Sequence, residues 1–288
     1  FGFDTIVITE PTQLTSTTSQ QDITCFNGTD GEATVTPAGG TGPYSYSWTK
    51  LPATPAGNTA TITGLDFGTY VVEITDDSSC TLLDTVILAN PAALGLQMGA
   101  DSVICFGVCD GSAWVVANGG TQPYTYLWSN SATTDTITGL CAGWYYVTVT
   151  DNNGCTNSDS VEVLSPVQIV TSTTQTDVSC FGGNNGSITV SGSGGTAGYT
   201  YAINAGTFGP SGTFSGLAAG NYTLRVRDTK NCETSTSVAV TQPSAVLAAT
   251  IIAVTNANCF GTSSGAVDLG VTGGTPPYGY AWSNSATT

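Results

Sequence analysis

The chain has 288 residues, enough for about two average domains, and only 8% of them are charged, against about 25% in an ordinary globular protein. Its 36 glycines and 12 prolines, with much Thr, Ser and Val, predict short strands joined by tight turns. The 20 acidic and 4 basic residues give a net charge of −16, which excludes nucleic-acid binding through a basic patch and disfavours anionic membrane surfaces. No apolar stretch reaches the length of a membrane span, so we expect no direct membrane insertion.

The start of the chain matches the closing segment of a unit that recurs later. The same spacing from aspartate to proline is found in Asp4/Pro11, Asp84/Pro91 and Asp159/Pro166. We therefore expect residues 1–11 to be the last strand of a preceding repeat.

A Cys-Phe pair opens each copy of the recurring unit, and a glycine always stands six residues after the cysteine. The four copies lie 75 to 80 residues apart and begin at Cys25, Cys105, Cys180 and Cys259. A fixed period of this length indicates tandem domains.

Each copy continues with a Gly-Gly-Thr turn and an aromatic ladder. The ladder reads Tyr-x-Tyr-x-Trp at the end of segments 39–48, 119–128 and 273–282, and Ile203 stands at the tryptophan position in the third repeat. This alternation predicts a strand with one large-aromatic face. One tryptophan per repeat on such a strand favours a core role over sugar binding by an exposed ring.

Two further motifs complete the unit. Leu-x-x-Gly-x-Tyr resembles the tyrosine corner of immunoglobulin-like sandwiches, in which the hydroxyl bonds to nearby backbone. A strand of alternating apolar residues follows and ends in Asp-x-x-x-Cys, which predicts a turn before the final strand. The Tyr, Asp and Cys positions are Tyr70/Asp76/Cys80, Tyr145/Asp151/Cys155 and Tyr222/Asp228/Cys232.

These elements predict an all-β fold of tandem immunoglobulin-like β-sandwich repeats of 75–80 residues, arranged as a rod or filament. The connections near proline are too short for flexible linkers, so neighbouring repeats should abut, and each should add roughly 30–40 Å. After residues 1–11, the predicted boundaries are 12–91 for repeat 1, 92–166 for repeat 2, 167–243 for repeat 3 and 244–288 for the N-terminal part of repeat 4.

The nine cysteines predict a disulfide framework and an oxidising, extracellular location. Repeats 1 and 3 hold two cysteines each, which favours pairing within the repeat. Repeat 2 holds four, for which three pairings exist, and equivalence with the other repeats selects one. Zinc is disfavoured because the chain has no His and no Cys-x-x-Cys motif. The predicted pairs are Cys25–Cys80, Cys105–Cys155, Cys109–Cys141 and Cys180–Cys232, with the partner of Cys259 beyond the chain end.

Catalytic chemistry is not expected. Without His the usual serine triad cannot form, the cysteines are committed to disulfides, and no phosphate-cradling glycine motif with its Lys is present. We therefore predict no enzyme and no cofactor. Calcium is the alternative role for the aspartates that lie ahead of each cysteine, against a default role as turn caps. These calcium candidates are Asp22, Asp76, Asp101, Asp151, Asp177 and Asp228.

The motifs in combination resemble the SprB repeat, and the similarity covers nearly the whole chain. The segments that carry it are Cys180–Val190, Gly119–Asn130, Leu140–Tyr145 and Asp151–Cys155. The resemblance implies a giant surface protein of Bacteroidota, exported by the type IX system, in a family that includes the mobile adhesins of gliding motility. Ile203 and the extra cysteines Cys109 and Cys141 depart from the pattern without changing the resemblance.

That lineage in turn implies O-glycosylation at Asp-Ser/Thr followed by an apolar residue. Three such sites fall at one position of the repeat, and the alternative is a polar Asp-Thr or Asp-Ser pair on the exposed face of a final strand. The candidate hydroxyls belong to Thr5, Thr85, Ser102, Thr136 and Ser160.

Three functional hypotheses follow. The first is the shaft of an extracellular adhesin, which contacts neighbouring repeats and surface polysaccharide and supports attachment or gliding. The second is a self-assembling subunit of an extracellular filament or sheath, whose partners are copies of itself. The third is the stalk of a larger secreted enzyme.

Overall fold

The computed structural model describes Asp4 and residues 6–287, and that part of the chain contains strands but no helix. Among these residues there is accordingly no helix long and apolar enough to cross a membrane. The chain divides into two compact units. One holds the residues up to Asp101 together with Gly111–Val163, and the other holds Ser102–Asp110 together with the residues from Leu164 onward.

Repeat 1 lies in the first unit and is a sandwich of two antiparallel sheets. Its strands are β1 (Thr15–Gln21), β2 (Gly31–Ala38), β3 (Ser45–Lys50), β4 (Thr54–Gly57), β5 (Thr61–Leu65), β6 (Gly68–Thr75) and β7 (Thr81–Leu88). One sheet has the order β1-β2-β5 and the other β4-β3-β6-β7. This is an immunoglobulin-like arrangement, with the inward-facing residues of both sheets forming the core.

Repeat 2 forms the same sandwich, but none of the described strands corresponds to β4. Its strands are β8 (Gly95–Asp101), β9 (Gly111–Asn118), β10 (Thr125–Trp128), β11 (Thr136–Leu140), β12 (Gly143–Thr150) and β13 (Thr156–Val163). The sheet orders are β8-β9-β11 and β10-β12-β13.

The second unit contains repeat 3 and the strands of repeat 4. Their bounds are β14 (Val170–Thr176), β15 (Gly186–Ser193), β16 (Thr200–Ile203), β17 (Thr213–Leu217), β18 (Gly220–Arg227), β19 (Glu233–Val240), β20 (Ala248–Thr255) and β21 (Ala266–Thr272). Repeat 3 has the sheets β14-β15-β17 and β16-β18-β19, and β20 pairs with β21. The all-β, immunoglobulin-like fold is therefore confirmed.

The aromatic ladder supplies the largest core side chains. Trp128 of repeat 2 is 2% exposed, and its indole N–H donates a 2.8 Å hydrogen bond to the Thr134 carbonyl. Trp48 is buried in repeat 1 in the same way, as expected for an indole that finds a hydrogen-bond partner. In repeat 3 the smaller Ile203 packs against the core instead.

The three predicted tyrosine corners are present. Each hydroxyl donates to the carbonyl four residues earlier, at 3.0 Å for Tyr70, 3.1 Å for Tyr145 and 2.9 Å for Tyr222. The Tyr70 hydroxyl also donates to the Asp66 carboxylate at 2.8 Å, and burial together with this contact raises the pKa of Tyr70. These bonds fix the turns that lead into β6, β12 and β18.

The first and last strands of repeat 1 run side by side in the same direction. The Ser16 hydroxyl donates to the Asp84 carboxylate at 2.7 Å, and the Gln20 amide donates to the Ile87 carbonyl at 2.8 Å. We call the end of the sandwich where β1 and β7 begin the proximal end, and the end where they finish the distal end. Repeats 2 and 3 have the same sheet order and therefore the same two ends.

The strand predicted for residues 1–11 is absent from the described part of that segment, which is irregular and exposed. A last strand is held by pairing with the strand before it, as β7 is held by β6. No described strand pairs with residues 6–11. The predicted boundaries after residues 91, 166 and 243 all lie between strands.

Replacing the buried indole of repeat 2 tests its core role. We expect Trp128→Ala to lower the free energy of unfolding of this repeat by about 3–5 kcal/mol, because it leaves a cavity and an unpaired carbonyl. Trp144→Ala is the matched control, since that ring is 56% exposed and its loss should cost less than about 0.5 kcal/mol. Native-state hydrogen exchange of β10, β12 and β13 measures both variants. Equal loss of protection in the two would contradict the assignment.

Candidate functional site: the disulfide-linked repeat junctions

Two disulfides join successive repeats. The first cysteine of one repeat is bonded to the second cysteine of the next, with Cα–Cα distances of 5.6 Å and 5.5 Å. The bonded pairs are Cys25–Cys155 and Cys105–Cys232. Cys109 and Cys141 are also disulfide-bonded, and their pairing with each other stays a prediction. The free, exposed cysteines among the described residues are Cys80, Cys180 and Cys259.

The pairing predicted within each repeat is wrong, because the two cysteines of a repeat lie at opposite ends of the sandwich. The first follows the first strand, at the distal end, whereas the second precedes the last strand, at the proximal end. A strand of this length separates the two ends by roughly 25 Å, while a disulfide needs Cα atoms within about 7 Å. The incorrect pairs are Cys25–Cys80, Cys105–Cys155 and Cys180–Cys232.

The first cysteine lies in the loop between the first and second strands, which we call the Cys-Phe loop (residues 22–30, 102–110 and 177–185). In repeat 1 the Asp30 carboxylate accepts from the Thr24 backbone N–H at 3.0 Å, and the hydrogen bonds from Thr24 lower the pKa of Asp30. Asp22 accepts from the Ala89 N–H at 2.8 Å, which ties the loop to the end of β7. The loop is therefore held rigidly at the distal end before it meets another repeat.

The second cysteine lies in what we call the proximal socket, formed by the Gly-Gly-Thr turn and the Asp-x-x-x-Cys turn. In repeat 2 the buried Asp151 carboxylate accepts three backbone N–H bonds, each 2.9 Å long, from Thr121, Asn153 and Cys155. These bonds favour the charged form, so they lower the pKa of Asp151, with the Thr121 bond the largest cause. One carboxylate thus holds both turns of the socket together.

Glycine is required in this socket for a steric reason. Gly119 and Gly120 have φ angles of +69° and +56°, in the left-handed region. A Cβ on Gly120 would lie 2.7 Å from an Asp151 carboxylate oxygen, and one on Gly119 would lie 2.0 Å from the Ala93 carbonyl oxygen. The hydroxyl of Tyr124 donates to the Gly119 carbonyl at 2.6 Å and holds the turn in place.

The loop and the socket meet in the same way at both junctions. In the first unit the sulfur of Cys155 lies 3.5 Å from the Thr24 carbonyl oxygen, beside a cleft of about 210 Å³. In the second unit the sulfur of Cys232 lies 3.4 Å from the Ile104 carbonyl oxygen, beside a cleft of about 240 Å³. The arrangement is a covalent joint that is repeated at both junctions.

Five of the six calcium candidates act as backbone caps. No group of three or more His, Cys, Asp or Glu that could hold a metal is present among the described residues. Asp76, Asp151 and Asp228 are buried and each accepts three backbone N–H bonds, while Asp22 and Asp177 each accept one from the residue after a last strand. Asp101 accepts from the Ser112 hydroxyl at 2.6 Å. The described part of the chain therefore gives no support to the calcium alternative, and no cofactor is indicated.

The proposed glycosylation residues differ in accessibility. Thr85, Ser102 and Thr136 are exposed and Ser160 is half-buried, while Thr5 lies outside the described residues. The residues that follow Thr85, Ser102 and Thr136 are buried. This is expected when an outward hydroxyl alternates with an inward apolar side chain.

Repeat 2 also presents an apolar surface that the sequence reasoning missed, which we call the aromatic patch (Leu127, Trp144 and Tyr146). Its three side chains are 57%, 56% and 59% exposed on the outer face of the β10-β12-β13 sheet. The run Trp144-Tyr145-Tyr146 could have predicted this surface. Adjacent residues of a strand face opposite sides of the sheet, so this run places aromatic rings on both faces. Residues 92–166 contain no Lys or Arg, so the patch lies in a purely acidic repeat.

Comparison with protein families gives one assignment. The family model described as SprB repeat matches residues 17–52, 100–133, 172–208 and 251–287, which together make up half of the chain. No curated protein sequence matches the chain.

Similar solved structures are tandem immunoglobulin domains. A complex of Dpr2 Ig1-Ig2 with DIP-Theta Ig1-Ig3 is 12% identical, with a TM-score of 0.28 and coverage of 79% of this chain and 99% of that one. The eight N-terminal Ig domains of the Down Syndrome Cell Adhesion Molecule are 11% identical, with a TM-score of 0.28 and coverage of 85% and 49%. Sidekick-1 domains 1–5 are 10% identical, with a TM-score of 0.27 and coverage of 89% and 63%. Similarity with TM-scores this low supports no conclusion about this chain.

The socket carboxylate should make stability depend on acid pH. Backbone N–H bonds, first of all from Thr41, lower the pKa of Asp76 in the folded protein. Its stabilisation is therefore complete above the unfolded value of about 3.9 and is lost as the pH falls through the lower folded pKa. We expect Asp76→Asn to lower the melting temperature at pH 7 and the difference from the parent to shrink by pH 2–3.

Asp77→Asn is the control for this experiment, because it makes the same charge change at the adjacent, exposed residue. Thermal melts followed by circular dichroism across pH 2–7 compare the two variants. The role of Asp76 is refuted if both variants show the same pH profile.

Proposed function

The chain belongs to the SprB repeat family, and we propose on that basis that it is a non-catalytic, repetitive extracellular protein of the adhesin-shaft type. The observation that carries the proposal is the covalent joint found at two successive repeat junctions. A shaft must transmit tension from one repeat to the next, and a disulfide between neighbours does so without relying on a noncovalent interface. Disulfides also fit an oxidising, extracellular location.

The covalent topology supports a role under tension. The two disulfides close overlapping loops with sequence separations of 130 and 127 residues. Each is worth roughly 5 kcal/mol on the chain-entropy model when considered alone. Because the loops overlap, and because Cys109 is predicted to pair with Cys141, the shortest covalent path through the chain runs only through residues 1–25, 105–109, 141–155 and 232–288. A pull on both ends therefore leaves the residues between these segments without load.

The aromatic patch supports attachment to neutral polysaccharide. Exposed Trp and Tyr rings offer flat apolar faces on which sugar rings can stack, and the Trp144 and Tyr146 side chains lie on one face of β12. The net charge of −16 and the absence of Lys and Arg from residues 92–166 oppose a polyanionic partner. On this proposal the shaft carries an attachment site in repeat 2, supports attachment or gliding, and bears O-glycans at Thr85, Ser102, Thr136 and Ser160.

A self-assembling filament subunit is the second proposed function, and free, exposed cysteines in repeats 1, 3 and 4 favour it. Ordered assemblies of many chains seen by electron microscopy would support this function over the single shaft. The stalk of a larger secreted enzyme has no observation in its favour among the described residues.

Single-molecule extension tests the shaft proposal. With the disulfides intact, the fully unfolded chain should extend to about 350 Å between its ends, because only about 100 residues lie on the covalent path. After reduction the same chain should extend to about 1,000 Å. Cys25→Ser should give an intermediate length, whereas Cys80→Ser, which removes a free thiol, should change nothing. Equal lengths before and after reduction would overturn the proposal.

Attachment through the aromatic patch is tested with beads that carry the full chain on an immobilised neutral polysaccharide under flow. We expect Trp144→Ala combined with Tyr146→Ala to lower retention about tenfold, since two rings that each contribute about 0.7 kcal/mol are lost. Leu83→Ala is the control, because it removes an exposed apolar side chain from repeat 1. Unchanged retention in the double variant would remove the patch from the proposal.

A further inference from the structure

The free cysteine of repeat 1 lies in a proximal socket built like those already bonded. The Asp76 N–H donates to the Cys80 carbonyl at 3.0 Å, as Asp151 does to Cys155 at 2.9 Å and Asp228 does to Cys232 at 3.0 Å. The Cys80 N–H donates to the Asp76 carboxylate at 2.8 Å, against 2.9 Å at both bonded sockets. The backbone that presents the thiol is therefore the same whether or not the cysteine is bonded.

The second turn of this socket is also formed. Gly40 and Gly39 have positive φ angles, and the Gly40 N–H donates to the Thr12 carbonyl at 2.7 Å. The Tyr44 hydroxyl donates to the Gly39 carbonyl at 2.6 Å, as the corresponding tyrosines do in repeats 2 and 3. The same arrangement binds a Cys-Phe loop in both other complete repeats. The similarity of the Cys80 socket to those two sockets therefore indicates a Cys-Phe loop as its ligand.

The complementary element is present twice with its cysteine free. In the loop of repeat 3 the Gly183 N–H donates to the Cys180 carbonyl at 3.0 Å, and in repeat 4 the Thr262 N–H donates to the Cys259 carbonyl at 3.3 Å. The bonded loops of repeats 1 and 2 close in the same way, at 2.8 Å and 3.2 Å. Both loop cysteines are exposed, so their thiols are accessible to a socket from another molecule.

We propose that the Cys80 socket is a covalent docking site for the Cys-Phe loop of another repeat of this kind, and that a second copy of this chain can supply it through Cys180 or Cys259. The rule is the one that the bonded pairs follow, in which a distal loop cysteine bonds to a proximal socket cysteine. Copies joined in this way are linked head to tail. The inference concerns the partner of these thiols, and it can fail while the adhesion proposal stands.

The bond requires a two-electron oxidant, for which a low-molecular-weight disulfide such as oxidised glutathione suffices. The Cys80 thiolate attacks the glutathione disulfide and forms a mixed disulfide, releasing one glutathione thiol. The loop thiolate then attacks the Cys80 sulfur, forms the protein disulfide and releases the second glutathione thiol. The two protein thiols are oxidised and one glutathione disulfide is reduced to two thiols.

The experiment oxidises the purified 288-residue chain with oxidised glutathione at high protein concentration and maps the intermolecular disulfides by mass spectrometry. We expect links from Cys80 to Cys180 or Cys259 to exceed Cys80–Cys80 and Cys180–Cys259 links by at least about tenfold. Pairing without preference would give the expected links in only about half of all cases. Failure to form intermolecular links, or pairing without preference, would overturn the proposal.

Variants and a denatured control sharpen this result. Cys80→Ser should abolish the linked species, and so should Cys180→Ser combined with Cys259→Ser, whereas Cys180→Ser alone should leave the Cys80–Cys259 link. Oxidation in denaturant should remove the preference, because the socket and the loop no longer exist there. A preference that survives unfolding would show that sequence reactivity, not docking, selects the partner, and would refute the inference.

Discussion

The topology of the sandwich imposes the constraint on which the rest of the molecule depends. The first and last strands of a repeat run in the same direction, as the hydrogen bonds between β1 and β7 show in repeat 1. The Cys-Phe loop follows the end of the first strand and the second cysteine precedes the start of the last strand, so the two cysteines lie at opposite ends. A repeat can therefore form this disulfide only with a neighbour. The covalent joints between repeats are a consequence of these strand directions, and no special interface is needed to explain them.

The backbone hydrogen bonds to the socket aspartate hold the second cysteine in a position where it can bond to a neighbouring repeat. A thiol at the end of a mobile turn would meet its partner rarely, whereas the three N–H bonds to each socket aspartate fix the turn that carries the cysteine. The same carboxylate reaches the Gly-Gly-Thr turn, so the chain segment that enters the repeat and the cysteine that receives the loop are held by one group. This is the pre-organisation that lowers the entropic cost of binding at a junction.

Comparison of the repeats in the sequence was enough to predict the fold, because repeated glycines, tyrosines and tryptophans report positions that every copy of a sandwich needs. Trp128, Tyr145 and Asp151 all occupy the core, corner and turn positions that their patterns indicate. The same comparison led to the wrong cysteine pairs. It shows which cysteines are equivalent in the repeats, but it does not show whether a cysteine bonds within its own repeat or to a neighbouring one. It also passed over Trp144 and Tyr146, which differ between repeats and so leave no repeated signal.

The overlap of the two disulfide loops has a thermodynamic consequence for the whole chain. Once Cys25 is bonded to Cys155, residues 105–155 belong to a closed ring, so residues 105 and 232 are on average closer in the unfolded chain than an open segment of 127 residues would leave them. The second bond then removes less entropy from the unfolded chain than it would alone. The stabilisation from the two bonds is therefore less than additive, and the loss of either one leaves the other more effective. A chain built from such overlapping joints loses stability gradually as single bonds are reduced.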